Sequence, residues 1–451
     1  AASPEAATSG RRLTAEHPAL SVAHRIVSHQ EAGESIPSDP PADLSARHGD
    51  AVDTLWTCAK LSAELLFERL AGNTAKASEK EDELKFSTCD PAWAETITKY
   101  LDFFGIGGGR QEIPYIVYQD LDDFVLPTLP PNAKIALIGD WGTGTAAAEK
   151  LLEAVRDHQP DVVIHLGDIY YSGTGNETHQ YFLDVLNEVL ARNENPIAVY
   201  TLTGNHDMYS GGVGYYQLLP ELNPAPLFRP EQAQPASYFC LRSQDGAWQL
   251  LAQDTGLHDH DPFTVNEDIT YLEATEEAWH LDKIAKWSAQ GGRTILFSHH
   301  QLFSAFEAIG GASAEKPAGQ EAANPKLLAS FRKFEEAAGR PDAIAGWFWG
   351  HEHNLCVYEP YLGLAKGRCL GHGAIPAFAE QDPYAVVPTL PDPPQLVPDP
   401  RSPGAPLKLG LVDQAYAHGF AILRLSDADR SATVSYYQET DYTTPMFVER
   451  L

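Results

Sequence analysis

Cationic residues are scarce in this chain. Its 451 residues hold 32 Lys and Arg against 62 Asp and Glu, for a formal net charge of -30. Such a field repels a nucleic-acid backbone, so nucleic acid is not expected as a partner. It also opposes any anionic substrate, so phosphate chemistry here needs strong local positive charge, such as bound metal ions. Long apolar runs are absent: no segment approaches the ~20 residues of a membrane helix, and no membrane partner is expected. Cysteine is sparse. Cys58, Cys89, Cys240, Cys356 and Cys369 are scattered without a C-x-x-C pair, which excludes a zinc ribbon and a disulfide scaffold. Cys356 and Cys369 can pair if they flank a hairpin, but free buried thiols are expected. The chain begins Ala1-Ala2 without Met, which fits trimming of an initiator Met or cleavage of a signal peptide. Cytoplasmic and secreted locations both stay open, as does the oligomeric state.

What is present suits a globular protein. Hydrophobic residues make up 43% of the chain. At ~150 residues per domain the length allows two or three domains, or one large α/β domain with an extension. Residues 1–50 are polar and read as a loose arm with one helix near Ala19–His29. Val52, Leu55, Trp56, Ala59, Ala63, Leu66, Phe67 and Leu70 recur at helical spacing, and Gly72 suits the stop. Asp90-Pro91 reads as an N-cap and first helical position, with Trp93, Ile97, Tyr100, Leu101 and Phe104 on one face. The Pro-rich segment Leu126–Asn132 marks an edge. Residues 1–130 are therefore expected to be a mostly helical N-terminal region, and 131–451 a separate domain.

From Lys134 the pattern alternates between strand and helix. Apolar runs at Ile135–Ile138, Val162–Leu166, Ile197–Leu202, Trp248–Gln253, Thr294–Ser298 and Ala343–Trp349 read as buried strands. Helices are expected at Ala146–Val155, from about Thr178, at Ala274–Ala289 and at Lys326–Ala337, so the units are right-handed βαβ crossovers. Residues Pro383 to Pro406 read as a long loop, and Phe420–Leu425 and Ala432–Tyr437 as closing strands.

The strand ends carry the chemistry. Gly139-Asp140-Trp141-Gly142, Gly167-Asp168 with Tyr171, Gly204-Asn205-His206-Asp207, Ser298-His299-His300 and Gly350-His351-Glu352-His353 each follow an apolar strand. The carboxyl edge of an α/β sheet is where ligands bind, and glycine lets the backbone turn so that the next side chain projects into a shared cleft. Any one of these groups alone is as readily a turn or a surface loop. Together, carboxylate, imidazole, amide and phenol make a mixed oxygen and nitrogen donor set. That set suits two ions about 3.5–4 Å apart better than one zinc, which is full with four ligands. A carboxylate can bridge two ions, and Asp168 is the candidate.

These five ordered motifs resemble those of the calcineurin-like metallophosphoesterases. Gly142 stands where most members carry a histidine, and a tyrosine follows the second Asp by three residues, so within that superfamily the chain resembles the purple acid phosphatases. The resemblance spans about Lys134 to Tyr437. It implies an α/β fold, the αββα sandwich of that superfamily, with a binuclear metal site at the carboxyl ends of the strands and the helical region as an N-terminal extension. It implies two metal ions: a ferric ion held by Asp140, Asp168, Tyr171 and His353, and a divalent zinc, manganese or iron held by Asp168, Asn205, His299 and His351. The implied activity is hydrolysis of small phosphate monoesters by attack of a metal-bound hydroxide at acid pH, with His206 protonating the leaving group. His300 and, more weakly, His372 are candidates for substrate contact, and His300 equally suits a packing role. His258 and His260 are expected to be solvated. The competing expectations are a phosphodiesterase on the same site and a non-catalytic metal-binding or partner-binding protein.

Overall fold

The structure is a computed structural model. It describes residues 112–451 apart from 191–195, 263–267, 311–315 and 413, together with residues 85, 90 and 92–104. The helices expected at Ala19–His29 and over Val52–Leu70 lie outside the described residues.

Two six-stranded sheets form the frame. The chain lays down β1 (Lys134–Ile138), β2 (Val162–His165) and β3 (Ala198–Thr201) in parallel. It then builds the second sheet from β4 (Phe239–Arg242), β5 (Trp248–Ala252), β6 (Arg293–Phe297), β7 (Ile344–Trp349), β8 (Leu355–Val357) and β9 (Gly367–Leu370). A small hairpin, β10 (Leu411–Val412) and β11 (Ala415–Tyr416), precedes β12 (Gly419–Leu425), β13 (Ala432–Gln438) and β14 (Phe447–Arg450). These last three return to the first sheet, whose order is β14-β13-β12-β1-β2-β3; the second runs β4-β5-β6-β7-β9-β8. Among the helices are α1 (Trp93–Phe104), α2 (Ala146–Asp157), α3 (Asp184–Val189), α4 (Ala274–Ala289) and α5 (Pro325–Ala338).

Strand alternation explains the layers. Ile135, Leu137 and Ile164 point inward and meet Leu250, Ile295, Phe297 and Phe348 of the other sheet. The intervening Ala136, Val163 and Val199 face outward onto Leu151, Leu152 and Val155 of α2 and Leu186 of α3. On the far side Leu251, Leu296 and Trp347 pack under Trp279 and Ile284 of α4 and Phe331 and Phe334 of α5. Both faces of each sheet are covered, which is why these strands read as continuous apolar runs. The result is an αββα sandwich. Local signals set the helix ends: the Thr145 hydroxyl accepts from the Ala148 amide at the start of α2, and Asn324 accepts from Lys326 and Leu327 before α5, which stops at Gly339 with φ 66°.

Several expectations need adjustment. β4, β8, β9 and β14 were not foreseen, since three or four residues paired antiparallel at an edge or beside a turn carry little periodic signal. In α1 the structure buries Phe103 and exposes Leu101, while Tyr100 and Phe104 of the expected face are half-buried. Cys356 and Cys369 sit opposite each other in the β8–β9 register yet remain free, buried thiols. The loop after Pro383 runs beside β8, where Val397 donates to the Val357 carbonyl at 2.9 Å. Among the described residues no helix is long and apolar enough to cross a membrane.

One buried ion pair ties the sheets together. Arg368 of β9 donates from Nε and Nη2 to the two carboxylate oxygens of Glu449 on β14, at 2.6 and 2.7 Å. Lys366 and the Tyr436 hydroxyl also donate to Glu449. Removing one partner leaves the other charge buried and unpaired, a loss of ~3–5 kcal/mol. Burial alone would raise the Glu449 carboxyl, but its bonds to Arg368 outweigh this and hold it down at about 2. Its folded pKa is below the unfolded one, so the contribution is complete above the ordinary value of 4.5 and fades as pH falls toward about 2. Glu449→Gln is expected to lower the melting temperature markedly at pH 7 and less at pH 3. An equal deficit at both pH values in thermal melts would contradict the pairing.

Candidate metal centre

The carboxyl ends of β1, β2, β3, β6 and β7 converge. Four residues there adopt a left-handed backbone although they are not glycine: Asp140 (φ 54°), Asp168 (φ 75°), His351 (φ 74°) and His353 (φ 49°). Such strain concentrates at functional sites because it costs ~1–3 kcal/mol per residue and must be over-determined by its surroundings. Here the turns are held by specific bonds. The Asp207 carboxylate accepts from the amides of Asp168 (3.0 Å), Ile169 (3.2 Å) and Gly204 (2.8 Å), locking the second motif to the third. The His351 amide donates to Asp140 Oδ2 at 2.9 Å, and the His206 amide to Asp168 Oδ1 at 3.0 Å.

Two groups of donor atoms result. In the first, ligand atoms of Asp140, Asp168 and His353 lie within 4.8 Å of one another. In the second, His299 Nε2 lies 3.1 Å from Asn205 Oδ1, 3.2 Å from His351 Nδ1 and 3.4 Å from Asp168 Oδ2. The structure thus brings together Asp140, Asp168, Asn205, His299, His351 and His353. Asp168 takes part in both groups.

The donor chemistry of the second group calls for a cation. His299 Nδ1 lies 2.9 Å from the Leu166 carbonyl, which assigns the proton to Nδ1 and leaves Nε2 as a lone pair. Asn205 Nδ2 donates to the Tyr209 hydroxyl at 2.6 Å, which turns Oδ1 inward. Lone pairs of oxygen and nitrogen therefore face one another at hydrogen-bond distance. Without a metal, such a site collects protons instead. Burial would lower both imidazoles, but Asp168 and Asp140 raise His299 overall, and Glu307, with Asp259 and Asp168, raises His351 to about 10. Burial would raise Asp168, yet His299, His206 and His351 hold it well below the usual carboxylate range. The space is also kept clear by glycine. A Cβ on Gly204 would lie 2.0 Å from Asp168 Oδ1 and 2.8 Å from His299 Nε2, and one on Gly350 would lie 2.6 Å from Asp140 Oδ2.

The tyrosine differs from expectation. The hydroxyl beside the first group is that of Tyr170, 3.0 Å from Asp140 Oδ1 and 3.1 Å from His353 Nε2. Tyr171, the expected residue, donates its amide to Glu177 and offers its carbonyl to His206 Nδ1. The cause lies in the preceding residues. Ile169 bridges Gly142 and turns its side chain into the outer core with Trp141 and Phe182, so Tyr170 projects to the opposite side. A Cβ on Gly142 would lie 2.8 Å from the Ile169 Cα, so this turn admits no side chain at that position.

The remaining candidates separate. His206 is half-buried, with Nδ1 2.7 Å from the Tyr171 carbonyl and Nε2 4.0 Å from Asp168 Oδ2. His300 lies within reach of His299 and His351, but both its nitrogens are engaged, Nδ1 by Thr255 Oγ1 at 3.0 Å and Nε2 by Asp259 Oδ2 at 2.9 Å. Those bonds favour the packing role. His372 is buried against β12, where a Cβ on Gly419 would come within 2.8 Å of its Nε2. His258 and His260 are not simply solvated: His258 stacks on Tyr271 and pairs with Glu273, and His260 packs on Phe104. Asp207 and Tyr209 went unrecognised in the sequence, the first because an Asp after a Gly-Asn-His turn looks like ordinary turn chemistry.

Residues 133–355 match the family model of calcineurin-like phosphoesterases. The chain carries a calcineurin-like metallophosphoesterase domain. That family is one of metal-dependent phosphoester hydrolases and implies two metal ions at this site. Among curated proteins none matches. A crystal structure of a dimetal phosphatase from Danio rerio is similar over 71% of this chain and 98% of that one, at 14% identity and a TM-score of 0.40. A conserved uncharacterized protein of Streptococcus pneumoniae, named as a predicted phosphoesterase, is similar over 71% and 97% of the two chains, at 12% identity and a TM-score of 0.27. Likeness at these scores bears on neither substrate nor mechanism.

Gly204→Ala tests the cleared space. Metal affinity should fall by at least ~10-fold, the range for disturbed ligand surroundings, while circular dichroism stays native. Undiminished metal content by elemental analysis would contradict the geometry.

Proposed function

We propose that this chain is a purple acid phosphatase-like enzyme that hydrolyses small phosphate monoesters at two metal ions sharing Asp168. The observation that carries the proposal is Asp168 itself, a carboxylate common to two groups of inward-facing lone pairs. In this proposal a ferric ion takes Asp140, Asp168 and His353, and a divalent zinc, manganese or iron takes Asp168, Asn205, His299 and His351. Tyr170, rather than Tyr171, supplies the phenol to the ferric side. When bound, such a pair supplies Lewis-acid polarisation of the phosphoryl group and, at a trivalent ion, acidification of water sufficient for an acidic pH optimum.

The protein's own part is positioning and proton handling. With Nδ1 tied to the Tyr171 carbonyl, His206 presents Nε2 beside Asp168, where it can protonate a leaving alkoxide. The half-buried ring keeps that nitrogen within reach of a ligand entering from solvent. Since β12 to β14 complete the sheet whose strand ends bear Asp140 and Asp168, the catalytic domain in this proposal runs from 131 to 451, and 1–130 is an extension to it.

Two measurements on the iron-loaded protein test the proposal. Visible absorption from phenolate-to-iron charge transfer should disappear in Tyr170→Phe and persist in Tyr171→Phe; the reverse result would restore Tyr171, and a colourless wild-type sample would remove the purple subtype. An aryl monophosphate should be hydrolysed at least ~10-fold faster than the bis-aryl phosphate, a difference of about 1.4 kcal/mol in barrier. Faster diester hydrolysis would make the enzyme a phosphodiesterase.

A further inference from the structure

A small acidic cavity lies beside the His351 half of the centre. Asp259, Asp268, Gln301, Glu307, His300 and His351 are among the residues lining it, and its innermost space, open on one side, is about 20 Å³. A water needs ~10–15 Å³ of such space, so it suits a single group of water or ammonium size.

Its hydrogen bonds do not balance. Asp259 is buried and gives Oδ2 to His300, but its Oδ1 has no partner. Gln301 is buried as well. Its Nε2 donates to Glu307 Oε2 at 2.7 Å, which fixes the amide and leaves Oε1 without a partner. Glu307 Oε1 stands 3.7 Å from His351 Nε2, beyond hydrogen-bond range. The unmet need is therefore for donors, and the surrounding carboxylates call for those donors to carry positive charge. A primary ammonium brings three N–H donors on one compact charge. A trimethylammonium has none and is larger. A magnesium or calcium ion demands about six or more oxygen ligands, whereas the unpartnered oxygens here are Asp259 Oδ1 and Gln301 Oε1.

We propose that this cavity is a subsite for the primary ammonium group of an aminoalkyl phosphate. The proposal rests on the phosphatase reading and narrows its substrate. One imidazole separates the two places, since His351 Nδ1 faces Asn205 while Nε2 faces Glu307. A phosphoryl group at the metal pair and an ammonium in the cavity then belong to one short molecule. A zwitterionic ester also meets less repulsion from a chain of net charge -30 than a purely anionic one.

The test compares kcat/KM for 2-aminoethyl phosphate and for propyl phosphate, in which a methyl replaces the ammonium, using the metal-loaded enzyme. Wild type should favour the amino ester by at least ~10-fold, the discrimination expected of a charged donor with prepared acceptors. Asp259→Asn and Glu307→Gln should each bring the ratio toward one; a ratio cancels general damage to the centre. Equal rates in wild type, or a preference that survives both substitutions, would overturn the subsite. Calorimetry with ethylammonium chloride reads the cavity without turnover: binding by wild type that is lost in Asp259→Asn supports it, and no binding, or displacement by magnesium chloride, overturns it. Bound ethylammonium with neither ester hydrolysed would refute the phosphatase reading and leave the subsite standing.

Discussion

Lone pairs that face one another across little more than 3 Å require a positive charge between them, and that requirement governs the carboxyl edge of these sheets. Asn205 Oδ1, His299 Nε2 and Asp168 Oδ2 are oriented by bonds on their outer sides, so none of the three can relieve the conflict by turning away. The rest of the molecule supplies rigidity for this arrangement. Two sheets packed face to face hold five strand ends in place, and the Arg368–Glu449 pair fastens one sheet to the other.

The same constraint explains the backbone. Four site residues carry positive φ, and glycines stand where any side chain would enter the donor space. Asp207 is the main restraint, because one carboxylate satisfies three amides from two motifs. The strain at Asp140 and Asp168 persists because β1 and β2 are buried on both faces and cannot shift to relieve it. Stability and site geometry are thus coupled through the central core rather than through the loops.

Much of this was legible in the residues. β1, β2, β3, β5, β6 and β7 fall within a residue or two of their apolar runs, because burial on both faces demands uninterrupted hydrophobicity. The convergence of Asp140, Asp168, Asn205, His299, His351 and His353 followed from polar residues placed just after those runs. The place of the Tyr170 hydroxyl beside Asp140 and His353 was not legible. It depends on Gly142 meeting Ile169 across a turn, a tertiary contact with no periodic trace. Asp259 and Glu307 were equally silent, since an acid in a polar loop looks solvated until the loop folds back over His300 and His351. The short edge strands escaped for want of length.

Anomalous diffraction from crystals of the metal-loaded enzyme tests the central claim most directly. The account predicts two peaks about 3.5–4 Å apart, one on each side of the Asp168 carboxylate, the first contacting Asp140 and His353 and the second Asn205, His299 and His351. A single peak, or peaks that leave Asp168 uncoordinated, would contradict it.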